Sequence, residues 1–258
     1  MVSTAHHRRT LIALAIIVSV AFALIWRSLN TPTVDQPLEA GATLRVGIDP
    51  SLPPFATIHD NALAGFEIDL ANALAAELDL TVHFVVLGFD SLYDALLTEQ
   101  VDCLIATLVI DASRMDDVRY TRPYYDDGLQ LVATHSDFIQ QEALTRHVLA
   151  FEFGSEADSL ARQWSIQLAD LTQRPYERPE YALDAVITDE AHAALVDQTS
   201  FLLYTPPNDV SLYAASITSV PFAIATRRER PALTKQLDQA LDSLQQSGEI
   251  TVLIEKWF

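Results

Sequence analysis

Between Val46 and Ser113 the chain carries eleven Asp and Glu residues and no Lys or Arg, and the stretch ends on Arg114. A guanidinium offers a planar fork of donors that can grip a carboxylate through two bonds, which a lysine cannot do. The alternative for Arg114 is an exposed ion pair with Asp111 or Asp117, worth about 0.5 kcal/mol. Asp189 closes an apolar run over residues 185–188, where a carboxylate serves no packing purpose; it either meets a ligand or caps a helix beyond it. Gly154 and Ser155 open a helical pattern after another apolar run, where backbone N–H groups and a hydroxyl suit an anion. Glu156 beside them opposes an anion unless it points away. Phe89 reads equally as a stacking surface or as core, and Cys103 as a small buried hydrophobe.

These residues need elements to place them, and the pattern supplies strands alternating with helices. Residues 44–48, 81–87, 103–108, 129–134, 148–153, 185–188 and 222–226 are short apolar runs with the length of strands. Leu70, Leu74 and Leu78 mark one face of a helix over 68–78, and Ser91 with Asp94 has the spacing of a capping box. Residues 155–168 and 191–198 are further helix candidates, and Leu233, Leu237, Leu241 and Leu244 line another that stops at Gly248. Such alternation predicts an α/β fold with largely parallel sheets. In open α/β sheets the ligand lies at the carboxyl ends of strands. That rule selects Asp49, Phe89, the segment from Thr107 through Leu108 and Val109 to Arg114, the trio Gly154, Ser155 and Glu156, and Asp189.

Composition removes other functions. Among 258 residues there are 35 acidic and 16 basic ones, a formal charge of −19, which repels phosphate backbones and argues against nucleic acid as a partner. A single cysteine excludes a disulfide framework or a multi-cysteine metal cluster. No GxGxxG, P-loop, HExxH or GxSxG motif occurs, so neither a metal nor another cofactor is expected. At the N-terminus two arginines precede an apolar run over residues 11–26 that stops at Arg27. This reads as a signal or membrane anchor over 1–27, with poorly placed cleavage triplets favouring an anchor and the cationic flank carrying the body out of the cytoplasm. Residues 28–42 read as a linker. Beyond them remain 13 basic and 33 acidic residues, a body of −20 with no attraction for anionic lipid.

In order along the chain, LRVGID (44–49), PPF (53–55), GFEIDLANA (65–73), FDSLYDALL (89–97), VDCLIA (101–106), Arg114, TRPYY (121–125), DAVITD (184–189) and GEITVLIEKWF (248–258) resemble the periplasmic solute-binding proteins of polar amino-acid ABC importers, family 3. The resemblance implies a two-lobed periplasmic-binding-protein type II-like α/β fold preceded here by the N-terminal hydrophobic helix. Lobe one would be residues 43–130 with 225–258 and lobe two 131–224. Residues 129–134 and 222–226 would be two crossover strands, about which the lobes close as a hinge.

By the same resemblance Arg114 grips the ligand α-carboxylate and Asp189 its α-ammonium. Phe89 lies against the ligand side chain, Leu52 stands where a second aromatic is usual, and Asp49 and Glu152 face the side-chain end. Val109 stands where the family has a hydroxyl donor, a loss that Thr107 would offset, and Glu156 where it has a small residue. Two acids at the side chain favour a cation or an amide donor, so arginine, lysine, histidine or glutamine is expected. The function implied is non-catalytic, extracytoplasmic capture of an amino acid by a monomer for the membrane subunits of an ABC importer. The alternatives are a ligand-sensing domain or a cyclohexadienyl or arogenate dehydratase on the same fold. Such a dehydratase carries a glutamate three residues beyond the strand-ending aspartate, a place that falls on His192.

Overall fold

The computed structural model describes residues 35–207 and 210–258. The N-terminal apolar run and the first part of the linker lie outside the described residues, among which no helix is long and apolar enough to cross a membrane. The chain first builds β1 (Thr43–Ile48), a hairpin of β2 (Thr57–His59) and β3 (Ala62–Ala64), α1 (Phe66–Glu77), β4 (Thr81–Val86), α2 (Leu92–Leu97), β5 (Cys103–Leu104) and β6 (Val118–Asp126). It then passes to β7 (Leu129–Ala133), β8 (Val148–Glu152), α3 (Glu156–Gln167), β9 (Thr172–Tyr176), α4 (Pro179–Ile187), β10 (Ala193–Asp197), α5 (Gln198–Leu203) and β11 (Tyr213–Ser216). It returns through β12 (Pro221–Arg227) to α6 (Pro231–Ser247) and α7 (Glu249–Trp257).

Two five-stranded sheets result, ordered β4-β1-β5-β12-β6 and β11-β7-β10-β8-β9, one to each lobe. They are mixed rather than largely parallel. In the first, β1 runs parallel to β4 and β5 while β12 is antiparallel to β5 and β6. In the second, β8 is parallel to β9 and β10 while β7 is antiparallel to β10 and β11. The antiparallel pairs are the strands that lead into and out of each lobe. Both faces of each sheet are covered, which explains the near-continuous apolar runs of the central strands. Phe66, Leu70 and Leu74 of α1 pack with Leu233, Leu237 and Leu241 of α6 on one face of the first sheet, and Leu92 and Leu96 of α2 lie on the other. In the second lobe Ala157, Ala161 and Trp164 of α3 cover one face and Ala182, Leu183 and Val186 of α4 the other. Cys103 is fully buried in this packing, and burial raises its thiol pKa.

Four sequence expectations change. Residues 185–188 belong to α4, whose Pro179 occupies the first helical turn and whose buried residues recur on one face. Residues 191–198 hold a strand, β10, followed by the start of α5. A run such as 193–196, apolar throughout, carries no periodicity with which to distinguish the two states. The strand expected over 103–108 is two residues long, because Thr107 takes a left-handed φ of 48° and turns the chain. Ser91 precedes α2 but its side chain makes no capping bond.

The passages between lobes are short, residues 126–128, which begin at the last residue of β6, and the loop 217–220, rather than β7 and β12, each of which belongs wholly to one sheet. Asp126 ties the two passages together. Its Oδ1 accepts from Gly128 N at 3.0 Å and Val220 N at 2.7 Å, and its Oδ2 from Ser219 Oγ. Against the opposing effect of burial, these bonds hold the Asp126 carboxyl below its ordinary range. The amide of Asp127 donates to Val220 O at 3.0 Å. Gly128 comes so close to the returning chain that a Cβ there would lie 2.0 Å from Thr218 O.

Glu67, in the first turn of α1, is a buried carboxylate. Its Oε1 accepts from Thr107 N at 2.5 Å and from the Tyr124 hydroxyl. Burial raises its pKa from 4.5 to about 7, the two hydrogen bonds acting in the opposite direction. The folded protein therefore keeps this proton up to about pH 7, whereas the unfolded chain releases it near 4.5. Stability from this group is full below about pH 4.5 and is lost as pH rises through 7. Glu67→Gln keeps an acceptor for both donors and is expected to flatten the fall in stability across that window. Asp127, raised to about 6, accounts for a remaining slope of the same sign. Denaturant titrations across the window check this, and an unchanged slope contradicts it.

Gly128→Ala is expected to destabilise the protein by about 1–3 kcal/mol through overpacking of the two passages. Gly88→Ala, where an added Cβ meets nothing within 4 Å, stays within about 0.5 kcal/mol of the parent. Equal melting points for the two variants would show that the passages have slack.

Candidate ligand-binding site

Backbone bonds between neighbouring strands align three parallel strand ends in the first lobe. Leu87 N donates to Ile48 O at 2.9 Å and Ile105 N to Gly47 O at 3.1 Å, so the loops after β4, β1 and β5 emerge side by side. They carry Phe89, Asp49 with Leu52, and Thr107 with Val109. Three apolar side chains remain in solvent: Phe89 is 55 % exposed, Leu52 49 % and Val109 45 %. Such exposure removes the reading of Phe89 as core and gives the lobe an apolar rim. Leu108 is buried, with its carbonyl accepting from Ala223 N at 2.9 Å, so it supports the loop rather than facing the cleft. Val109 pairs by an isolated bridge with Phe222. The Thr107 amide is taken by Glu67 and by the Tyr124 hydroxyl, 3.2 Å away, on the inner side of the loop. Asp49 turns back on its own loop, Oδ1 accepting from Ser51 N at 3.1 Å.

Arg114 ends a short 3₁₀ turn capped by Asp111, whose Oδ1 accepts from Ser113 N at 2.8 Å. Its guanidinium lies 3.9 Å from the centroid of the Tyr93 ring, and Nε stands 3.5 Å from Asp111 Oδ2. The side chain is half exposed and keeps donors available beyond these contacts. The Tyr93 hydroxyl is 3.0 Å from that of Tyr120, which fixes the ring beneath the cation. The sequence did not single out Tyr93, which rises from the first turn of α2.

In the second lobe a cavity of about 260 Å³ is lined by residues that include Asp127, Glu152, Ser155, Glu156, Pro179 and Asp197. Ser155 caps α3, its Oγ donating to Glu152 O at 2.8 Å and accepting from Asp158 N at 3.3 Å. Gly154 has a left-handed φ of 79° and gives its N–H to Asp158 Oδ2 at 2.9 Å, so that donor is not free for a ligand. Asp158 in turn meets Arg162 at 2.6 Å; the guanidinium and the Gly154 amide hold its carboxyl down to about 2. Glu156 remains at the cavity, where the positive end of the α3 dipole offsets its charge. Burial, then Asp197 and Glu180, raise the Glu152 pKa. Asp127 is raised to about 6, first by burial and then by Asp197 and Asp126, against two bonds from Thr199.

Asp189 is not in this group. It is exposed in the turn that ends α4, with φ 58° and its N–H directed to Val186 O. The acid that ends a strand in this lobe is Asp197, the last residue of β10, with Oδ1 accepting from Ser200 N at 2.6 Å and Oδ2 from Ser200 Oγ at 2.8 Å. Two segments, DAVITD and HAALVD, both present an apolar run closed by Asp. Pro179, a helix-opening residue placed to start a helix through the first of them, was the available discriminator. The place three residues beyond the strand-ending aspartate therefore falls on Ser200 and not on His192. His192 lies before β10, its ring 4.5 Å from that of His147 and its Nδ1 accepting from Val148 N.

The L-arginine-binding protein of Pseudomonas aeruginosa is 26% identical over 259 residues, a match that spans 92% of this chain and 94% of the relative. The crystal structure of an ancestral cationic amino acid solute binding protein is 28% identical and covers 84% of this chain and 95% of its own, with a TM-score of 0.62. The L-cystine solute receptor of Neisseria gonorrhoeae, in its unliganded open conformation, shares the fold at a TM-score of 0.74 and 20% identity, covering 84% of this chain and 93% of its own. Residues 44–258 match the family described as bacterial extracellular solute-binding proteins, family 3, and the chain belongs to that family.

Proposed function

We propose that the protein captures an amino acid with a cationic or amide side chain outside the cytoplasm and delivers it to the membrane subunits of an ABC importer, acting as a monomer tethered by its N-terminal apolar run. The observation that carries the reading is the division of charge between the lobes. Arg114 stands on the first, and the second presents Asp197, Glu152 and Ser155 around one cavity. A zwitterionic α-amino acid matches that division: carboxylate to the guanidinium, ammonium to Asp197. The L-arginine-binding relative and the ancestral cationic amino-acid binder support the side-chain class.

Closure follows from the same division. A ligand held by Asp197 presents its carboxylate to the other lobe, and the charge-assisted bonds on either side strengthen as water leaves. The apolar rim of Leu52, Phe89 and Val109 then covers the side chain. Rotation is confined to the paired passages at 126–128 and 217–220, as in hinge closure. Tyr93 can keep its ring under the guanidinium throughout, because stacking uses the face of Arg114 and leaves its edge to the carboxylate. Elimination chemistry would need a carboxylic acid in the cleft as general acid. The place where dehydratases carry one holds Ser200, whose hydroxyl and amide are both engaged with Asp197.

Arg114→Lys and Asp197→Asn are each expected to weaken binding of every α-amino-acid ligand by about 10- to 100-fold, the size of one lost charge-assisted contact. Asp189→Asn leaves affinity unchanged. Calorimetry on the three variants decides between Asp197 and Asp189, and normal affinity for both Arg114→Lys and Asp197→Asn would remove the amino-acid reading.

In competition binding, arginine, lysine, histidine or glutamine is expected to outcompete glutamate and leucine. An anionic side chain would meet Glu152 in a water-poor cleft, and an aliphatic one would leave that acid unpaired. Tighter binding of glutamate or leucine than of all four sinks the expectation.

A further inference from the structure

Asp197 alone suffices to neutralise an α-ammonium, yet the cavity beside it holds three further carboxylates; Glu156 stands at the start of α3, and the other two come from separate elements. Glu152 ends β8, and Asp127 sits on the passage between the lobes. No Lys or Arg is among the residues that line this cavity. We propose that Asp127 is a specificity-determining residue of the ligand site, reading a second positive charge on the ligand and thereby selecting cationic over amide side chains. The proposal rests on the amino-acid-binding reading and narrows its substrate class.

Three features of Asp127 support the role. Its Oδ1 is fully occupied by α5, accepting from Thr199 N at 2.8 Å and Thr199 Oγ1 at 2.7 Å, which fixes the carboxyl group. Oδ2 has no hydrogen bond from the described residues and remains for a ligand. Its backbone N–H is bonded to Val220 O on the returning passage, so Asp127 lies where both passages meet and keeps its place at the cleft floor as the lobes move. Asp49, the acid expected to read the side chain from the first lobe, has Oδ1 bonded to Ser51 N and is not among the residues that line this cavity. The side-chain cation thus finds its counter-charges at Asp127 and Glu152.

The charged and titratable neighbours of Asp127 are Asp126 on its own passage, Asp197 at the end of β10 and the Tyr125 hydroxyl, which shares Thr199 Oγ1 at 3.1 Å. Glu152 faces Asp197 across the same cavity. Those of Asp127 are acids or neutral, whereas Glu152 also has the Arg178 guanidinium acting on it. Like charges gathered in a small, partly dry cavity hold a proton above its usual range. A cation entering between them favours the ionised forms and expels that proton, and affinity for the cation falls as pH drops below about 6. An amide side chain brings no charge and gains nothing from ionisation.

The test is calorimetry of the full chain with L-arginine and L-glutamine, using the parent and Asp127→Asn. The variant is expected to lose arginine affinity by about tenfold or more while glutamine affinity stays within about twofold. A merely structural role would move both ligands together. On the parent alone, arginine titrations near pH 6 in buffers of different ionisation enthalpy should report net proton release, which requires no variant to fold. An unchanged arginine-to-glutamine ratio in Asp127→Asn, or arginine binding without proton release, overturns the inference and leaves the amino-acid reading standing. A parent that binds neither amino acid brings both down together.

Discussion

Among the described residues the chain crosses between its two sheets twice, and each crossing must leave one lobe and enter the other within three or four residues. That constraint governs the rest of the molecule. Asp126 supplies the bond that keeps the two crossings side by side, accepting from Gly128 on one and from Ser219 and Val220 on the other. A long side chain would not fit where Gly128 meets Thr218, so the approach is closer than any residue with a Cβ permits. The crossings also account for the mixed topology, since the strand that enters each sheet, β12 or β7, runs antiparallel to both of its neighbours. The cavity of the second lobe is then a consequence of position: strand ends of that lobe and the floor of the crossing meet at Asp127 and Asp197.

Charge is distributed along the same division. The first lobe contributes a stretch of 68 residues, 46–113, without a cation, and then a single guanidinium held over an aromatic ring. The second lobe gathers carboxylates in a cavity with no Lys or Arg in its lining, Arg178 acting on Glu152 from beside it. Elsewhere in this lobe three acids are paired with a cation: Asp158 with Arg162, Glu180 with Arg178, Glu190 with Arg174. The contrast matters because exposed ion pairs contribute little to stability, whereas uncompensated acids beside one another oppose folding. Asp127 stands among acids with no cation acting on it.

How much of this was legible in the sequence depends on burial. Strands 44–48, 81–86 and 129–133 and the helix from 231 to 247 were readable because packing on one or both faces imposes apolar patterns. β6 was missed because Arg119, Arg122 and Pro123 break the pattern on an edge strand, where exposed residues and a proline are tolerated. β9 was missed for the same reason, being another edge with a polar sequence. Arg114, Glu152 and Ser155 could be placed since each follows or ends a recognisable strand. Asp197 could not, because an eight-residue shift carries one apolar run closed by Asp onto another, and local composition does not choose between them. Asp127 lay beyond any local signal: its meaning comes from the return of the chain at Val220, more than ninety residues later.

The Thr107 loop shows how a departure from the family pattern can be absorbed. Val109 provides no hydroxyl, and the Thr107 amide is turned inward to Glu67 and Tyr124, which leaves the Thr107 carbonyl and hydroxyl as the groups through which that loss would be offset. What the loop gains is rigidity. A left-handed threonine is costly, and it persists because a buried carboxylate accepts from its amide while Leu108 and Val109 are fastened to β12. A loop so held is a fixed surface, and its exposed Val109 belongs with Phe89 and Leu52 to the apolar rim of the first lobe.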